Sequence, residues 1–485
     1  MSHEKNRVKS ENRSGSSDEK SRREVETKKV IVSFKEHNMD FAKEYQQKLV
    51  SADEAVKCVK SGDWVDYSLC CGVPIALDEA LAKRKDELED VKIRSGITST
   101  PRKVLEVDKE GDTFTYMDWH FTGYDRKMKK AGNKNIFFTP LLYRNKPYHY
   151  RNNINVNVAM MMVSPMDEKG YFSFSLSNSA SAAIAENADI VILEVNKNMP
   201  NVYDLKEGTI HISEVDYVVE YDSALPVLPP AGEPSEVDTA VAKLVLEELV
   251  DGSTIQLGIG SMPNTIGEMI AESDLKDLGI HTEMLVDAYL AMYKAGKITN
   301  KKKNIDKGRG IFGFALGSQD LYDWTNENRG LLSAPIDYCN DPYVMAQNDN
   351  MMSINNALEV DLLGQTASEA AGYNQISGTG GQLDFLTGAH MSKGGKGLIC
   401  MSSTFTMKDG TKKSRIRPRL AEGSIVTDPR SQAYYIITEY GKVMLAGMAT
   451  WQMAEALISV AAPEFREELI AEAEKMGIWR KSNKR

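Results

Sequence analysis

The chain is short of several features that would announce a function. Its five cysteines, Cys58, Cys70, Cys71, Cys339 and Cys400, are odd in number and scattered, with no CxxC pair. That usage fits a reducing compartment and predicts a cytoplasmic protein. The seven histidines show no metal-ligand spacing, so no metal is expected. No apolar run reaches the roughly 18 residues that a membrane span needs, and no transmembrane segment is predicted. Positive charge is outnumbered as well, 59 Lys and Arg against 69 Asp and Glu. A formal net charge of −10 argues against general phosphate-backbone binding, which works through Lys and Arg displacing counterions. Neither nucleic acid nor membrane is an expected partner, and an anionic ligand has to be met by a local site.

What is present is an ordinary globular composition, 42% hydrophobic and 26% charged, in a chain long enough for two large α/β domains. Glu4 to Lys29 carry 15 charged residues in 26, of both signs. Such a segment cannot bury enough surface to offset the entropy of ordering, so residues 1–38 are predicted to be a disordered extension. Six of its residues are acidic, whereas a transit peptide is poor in acids.

From residue 39 the texture becomes amphipathic helix, Gly turn, β-rich run and helix again, the pattern of α/β architecture with largely parallel strands. "LPVLPPAGEP", Leu225 to Pro234, holds four prolines, which remove donors that helix or central sheet needs. It separates an N-terminal domain, 39–228, from a C-terminal domain, 235–485. The two share a layout. Ser51 and Ser235 each suit a helix N-cap and precede apolar residues at helical spacing. A Gly turn, a short strand and a small-residue loop ending in Pro74 or Pro263 follow, then a helix and a second strand. Glu283 in "GIHTEMLVDAY" lies 20 residues after Pro263, and Arg94 lies 20 after Pro74. If the units are equivalent, the fold does not require the acid.

"QLGIGSMPN", Gln256 to Asn264, is a strand opening into a Gly-containing loop, with Asn264 as a candidate N-cap. It is neither a Walker A loop nor a complete G-x-G-x-x-G. A loop that presents backbone N–H groups to an anion and a plain tight turn both fit it. "SGTGGQLDFLTGAHMSKGGKG", Ser377 to Gly397, has seven glycines in 21 residues and suits a loop packed on a ligand. Lys393, Lys396 and "KKSRIRPR", Lys412 to Arg419, form a candidate phosphate site, although each single charge also reads as solvated surface. Cys70-Cys71, His281, His390 and "AMMMV", Ala159 to Val163, read as packing.

With "GIGSMPN", "GIHTEM" and "GTGGQLDF" in this order, and with "SAPIDYCND", "SKGGKG" and "SRIRPRLAEGSIVTD", the sequence resembles the acetyl-CoA hydrolase/transferase family of class I coenzyme A transferases. The likeness runs from Met39 to the C-terminus and is strongest to the butyryl-CoA:acetate CoA-transferases. It implies two related α/β domains of the NagB/RpiA/CoA-transferase type. It also implies Glu283 as the catalytic glutamate, Asn340 as an oxyanion donor, and Leu257, Gly258, Ile259, Gly260, Ser261 and Met262 as a coenzyme A-contacting segment. Gly381 and Leu358 become backbone contacts, and Lys393 stands in for a phosphate-binding lysine that some relatives carry further along. Coenzyme A is then a substrate and no cofactor is permanently bound. The partners are acyl-CoA and short-chain carboxylates, with a homodimer as the default assembly.

Glutamate suits this chemistry because an ionised carboxylate can attack a thioester and leave again through an anhydride. A free glutamate with a pKa of about 4.3 is ionised at neutral pH without a neighbouring base. A 4-hydroxybutyrate or propionyl CoA-transferase, or an acyl-CoA hydrolase, is the alternative for the same residues. A non-catalytic coenzyme A-binding protein would be expected to lack Glu283 or Asn340, and both are present. A sugar-phosphate isomerase would rest on fold analogy alone.

Overall fold

The computed structural model describes residues 40–229, 232–432 and 434–483. The predicted disordered extension lies outside the described residues. Two parallel sheets organise the chain. The first contains β1 (Trp64–Asp66), β2 (Val91–Ser95), β3 (Phe114–Asp118), β4 (Ile136–Phe138), β5 (Val156–Val163), β6 (Ala188–Val195) and β7 (Tyr217–Glu220), in the order 4-3-2-1-5-6-7. The second contains β8 (Thr254–Leu257), β9 (Gly279–Leu285), β10 (Gly310–Ala315), β11 (Leu331–Ser333), β12 (Met351–Asn356), β13 (Lys396–Cys400), β14 (Tyr435–Thr438) and β15 (Gly441–Met444), in the order 11-10-9-8-12-13-14-15. Only its last pair, β14 with β15, is antiparallel. Apart from that edge strand, the orders are the same, so the internal repeat is real at the level of topology.

Local sequence explains much of this. Ser51 and Ser235 cap their helices as expected, their side chains accepting from Glu54 N and Asp238 N. Central strands covered on both faces are nearly all apolar, and Ala159 to Val163 of β5 are all buried. The described residues of Leu225 to Pro234 form neither helix nor strand.

Two details depart from the sequence reading. The helix after β8 begins at Ser261 with Gly260 as N-cap, at φ +116°, so Asn264 lies within its first turn instead of capping it. A left-handed glycine turns the chain four residues sooner than an Asn cap would. Strand register also separates Arg94 from Glu283. Asp66 pairs with Arg94, whereas Ile255, its counterpart when Pro74 and Pro263 are aligned, pairs with Ile280. The counterpart of Glu283 therefore falls three residues beyond Arg94, at Ile97. Arg94 is a framework residue: its guanidinium lies 4.1 Å over Trp64 and donates to Asn155 O.

The halves meet in a shared core that includes Leu69, Tyr143 and Leu176 from the first and Leu257, Met284 and Phe314 from the second. The chain at Ser179 is stitched into the second half, its N–H donating to Gly313 O at 3.0 Å and its carbonyl accepting from Ile336 N at 2.7 Å. This junction holds loops of the first sheet against the strand ends of the second. Among the described residues, no helix is long and apolar enough to cross a membrane.

Candidate active site

Glu283 interrupts β9, whose other residues from Gly279 to Leu285 are all buried. Its own side chain is partly exposed, into a cavity of about 230 Å³. Leu257, Met284, Asn355 and Asn356 line this cavity from the carboxyl ends of β8, β9 and β12. The glycine loop from Ser377 to Gly381 closes it, together with Ile97 and His120 from the loops after β2 and β3. Because β9 and β12 flank β8, the cavity lies where the chain order of the sheet reverses, the usual ligand position in open parallel sheets.

Asn340, at the C-cap of the helix Ile336–Cys339, is wholly buried. Its Nδ2 donates to Glu283 Oε2 at 2.6 Å. Gly381 is the N-cap of the helix Gln382–Met391, and no side chain fits there because a Cβ would overlap Asn340 Nδ2 and Glu283 Oε2. Glycine is needed here for close approach, not for a left-handed φ. Burial pushes the Glu283 carboxyl up to about 7; Asn340 and the Gly381 backbone oppose the rise, and the Asp384 carboxylate adds to it. The expectation of a fully ionised acid at neutral pH is thereby corrected. The ring of protein removes water that stabilises the charged form of a free glutamate.

Asp384, in the first turn of the Gln382–Met391 helix, pairs with Arg144 Nε at 2.7 Å. Burial raises Asp384 to about 7 despite that partner. His120 faces the cavity, and burial lowers its pKa to about 4. His281, by contrast, is a core residue whose Nε2 lies 2.8 Å from Cys339 O. Cys70 and Cys71 are buried likewise.

The expected coenzyme A contacts divide. Leu257, Gly258 and Ile259 line the cavity, but Gly260, Ser261 and Met262 do not. Leu257 N already donates to Tyr289 Oη and Gly258 N to Ile354 O. Among the described residues, the amides of Ile259, Gly260, Ser261 and Met262 have no such acceptor, and of these Ile259 lines the cavity. Leu358 lies off the cavity, its N–H given to Ala367 O and its carbonyl to Arg415 Nη1. Lys393 is placed at the wrong end of the sheet. Its carbonyl accepts from Asn350 N ahead of β12, in the loop that enters β13, whereas the cavity lies at the strands' carboxyl ends. The basic run is partly spent as well: Lys412 pairs with Glu464 and Arg417 with Glu359.

Ile97, His120 and Arg144 lie outside every motif quoted from the sequence, and Asp384, within "GTGGQLDF", is assigned no role by it. The repeat held one signal, since a correct strand register would have aligned the loop after β2 with Glu283.

Two family models match the chain, the acetyl-CoA hydrolase/transferase N-terminal domain over residues 33–229 and its C-terminal domain over residues 317–473. The chain is 52% identical to a butyryl-CoA:acetate CoA-transferase of Anaerostipes caccae, covering 92% of this chain and 100% of that one. It is 38% identical to a 4-hydroxybutyrate coenzyme A transferase of Clostridium kluyveri, over 90% and 100%. Among solved structures, RipA from Yersinia pestis superposes with a TM-score of 0.83 at 35% identity, over 91% of this chain and 100% of that one. A 4-hydroxybutyrate CoA-transferase from Porphyromonas gingivalis superposes with a TM-score of 0.72 at 32% identity, over 90% and 100%.

Proposed function

Because the chain belongs to the acetyl-CoA hydrolase/transferase family through both of its halves, we propose that it is a CoA-transferase that moves coenzyme A between butyryl-CoA and acetate. The observation that carries the reading is one carboxylate, Glu283, held by Asn340 Nδ2 at 2.6 Å and approached by Gly381 at the strand ends of a ligand-sized cavity. The likeness to a butyryl-CoA:acetate transferase at 52% identity supports the choice of substrates.

In this mechanism an ionised Glu283 oxygen attacks the thioester carbonyl of butyryl-CoA. The C–S bond breaks, coenzyme A leaves as the thiolate, and a butyryl-glutamyl anhydride remains. The thiolate then attacks the glutamyl carbonyl, the bond between that carbon and the bridging oxygen breaks, and butyrate departs with the oxygen, leaving a glutamyl-CoA thioester. Acetate attacks that thioester, and the same two steps in reverse yield acetyl-CoA and free Glu283. One thioester is exchanged for another, so the balance needs no ATP. Asn340 and nearby backbone N–H groups are suited to hold the oxyanion that forms at each attack. Burial of Glu283 leaves its ionised form poorly hydrated, which favours attack, and an enclosed site limits water's access to the intermediate.

The test gives the purified chain butyryl-CoA with and without acetate and follows the acyl-CoA species by mass spectrometry. Acetyl-CoA should form with ping-pong kinetics, and a glutamyl-CoA adduct at Glu283 should be trapped by hydroxylamine or borohydride. Near-full transfer by Glu283→Ala would overturn the mechanism. Coenzyme A release that is equally fast without acetate would make the protein a hydrolase. The reading keeps the cytoplasmic homodimer expected from the sequence, and sedimentation of the purified chain checks the assembly.

A further inference from the structure

Glu283 and Asn340 share one hydrogen bond, and their chain neighbours share two more. His281 Nε2 lies 2.8 Å from Cys339 O, and Cys339 Sγ donates to Thr282 O at 2.9 Å. A carbonyl oxygen only accepts, so the imidazole proton sits on Nε2; Nδ1 is buried and has no partner among the described residues. The two bonds run in opposite directions between β9 and the end of the helix Ile336–Cys339, and His281, Thr282, Cys339 and Asn340 are all wholly buried. Gly313 of β10 permits the approach, because a Cβ there would come within 2.7 Å of Ile336 Cδ1 and 3.1 Å of Glu283 O.

His281 stands two residues before Glu283 and therefore on the same face of β9. Its ring centre lies 6.5 Å from that of Tyr338 and 6.4 Å from that of Phe385. Tyr338 belongs to the helix that ends at Asn340, and Phe385 lines the cavity from the helix capped by Gly381. One imidazole is thus packed among the three elements that bring Glu283, Asn340 and Gly381 together.

Asn340 depends on such a support. Its Nδ2 is given to Glu283, and its Oδ1 is buried with no partner among the described residues. When Glu283 becomes an anhydride or a thioester, that carboxylate oxygen is no longer offered. The amide is then placed only by the backbone on which it stands, and that backbone is tied to β9 through Cys339.

Resting on the transferase reading of Glu283, we propose that His281 is a positioning residue of the reaction. Its Nε2–H, given to Cys339 O, keeps Asn340 at the distance from which the amide meets the oxyanion. The imidazole itself exchanges no proton and touches no substrate. A side chain of this kind acts on kcat, since a group misplaced by an ångström can cost about a hundredfold in rate.

The test is a double-mutant cycle with Asn340 in the whole chain. Transfer from butyryl-CoA to acetate is measured for the wild type, His281→Met, Asn340→Ala and the double variant, with circular dichroism as the check on folding. Methionine fills much of the imidazole's space without an N–H. His281→Met should lose at least about tenfold in kcat while KM for butyryl-CoA stays within about threefold. In the Asn340→Ala background the same change should cost no more than about threefold, because the group it positions is already absent. His281→Gln, which carries an N–H donor on a side chain of similar reach, should recover most of kcat. An equal loss in both backgrounds would make His281 a packing residue and overturn the proposal, as would full activity of His281→Met or a His281→Gln no better than it. Should His281→Met fail to fold, His281→Asn, whose shorter amide falls short of Cys339 O, replaces it in the cycle. Absence of transfer by the wild type counts against the transferase reading, whereas wild-type transfer with equal losses counts against His281 alone.

Discussion

Asn340 Nδ2 donates to Glu283 Oε2 at 2.6 Å, and the two residues are separated by 57 positions in the chain. The pair is made by two separate elements, since Glu283 rides on β9 while Asn340 ends the helix Ile336–Cys339. On the proposed mechanism the bond serves two states. In the free protein it favours the ionised acid, and during attack the same amide can face the oxyanion. Asn340→Ala should therefore lose about two to three orders of magnitude in kcat, the usual cost of removing one oxyanion donor. It should also move the acidic limb of the kcat/KM profile to higher pH, because a group that favoured the carboxylate is gone. An unchanged limb together with reduced kcat would restrict Asn340 to the transition state.

Asp384 acts in the opposite sense on the same acid. Its carboxylate raises the Glu283 pKa, and its partner Arg144 holds it at 2.7 Å. Asp384→Asn removes a nearby negative charge, so ionised Glu283 becomes easier to form. The acidic limb of kcat/KM should shift to lower pH, the reverse of the Asn340→Ala shift, when both are measured in the same buffers. A shift upward would mean that loss of the Arg144 pairing has rearranged the helix start.

Gly381 makes a claim about space. A Cβ there would overlap both Asn340 Nδ2 and Glu283 Oε2, while the glycine's own φ of −106° is ordinary. Gly381→Ala thus imposes no backbone strain, and its damage should fall on activity. A loss of at least about tenfold in kcat is expected, since misplacing reacting groups by an ångström can cost about a hundredfold. Thermal melting should change little by comparison. A variant with full activity would show that the helix start can retreat without disturbing the carboxylate.

The strand-turn-helix order and the repeat were legible because they are written locally, in caps such as Ser51 and Ser235 and in apolar runs such as Ala159 to Val163. The acid itself stood out because β9 is otherwise buried, and the resemblance supplied its partner Asn340. What local sequence could not carry was three-dimensional offset. Lys393 sits in a conspicuous basic glycine segment, but charge density does not say which end of a parallel strand a loop joins. The match of Arg94 with Glu283 failed because the second unit pairs its strands three residues earlier. The state of Glu283 was hidden for a similar reason. Its pKa depends on enclosure by loops near residues 97, 120 and 380, which are distant in the chain and meet only at the junction of the two halves.

That enclosure has a consequence for stability that can be read apart from activity. In the unfolded chain a glutamate has its ordinary value of 4.5, and in the fold Glu283 rises to about 7, chiefly by burial. Between these values the folded state binds more protons than the unfolded one, so stability falls as pH rises. The penalty is absent below about 4.5 and complete above about 7. Glu283→Gln keeps the size and an oxygen that can accept from Asn340 but carries no charge. It should therefore melt like the wild type near pH 4.5 and be the more stable protein at pH 8, by about 1–3 kcal/mol. Denaturant midpoints at both pH values give the comparison. Equal stability at pH 8 would show that water in the cavity hydrates the ionised carboxylate, and the acidic limb of wild-type kcat/KM should then lie well below pH 7.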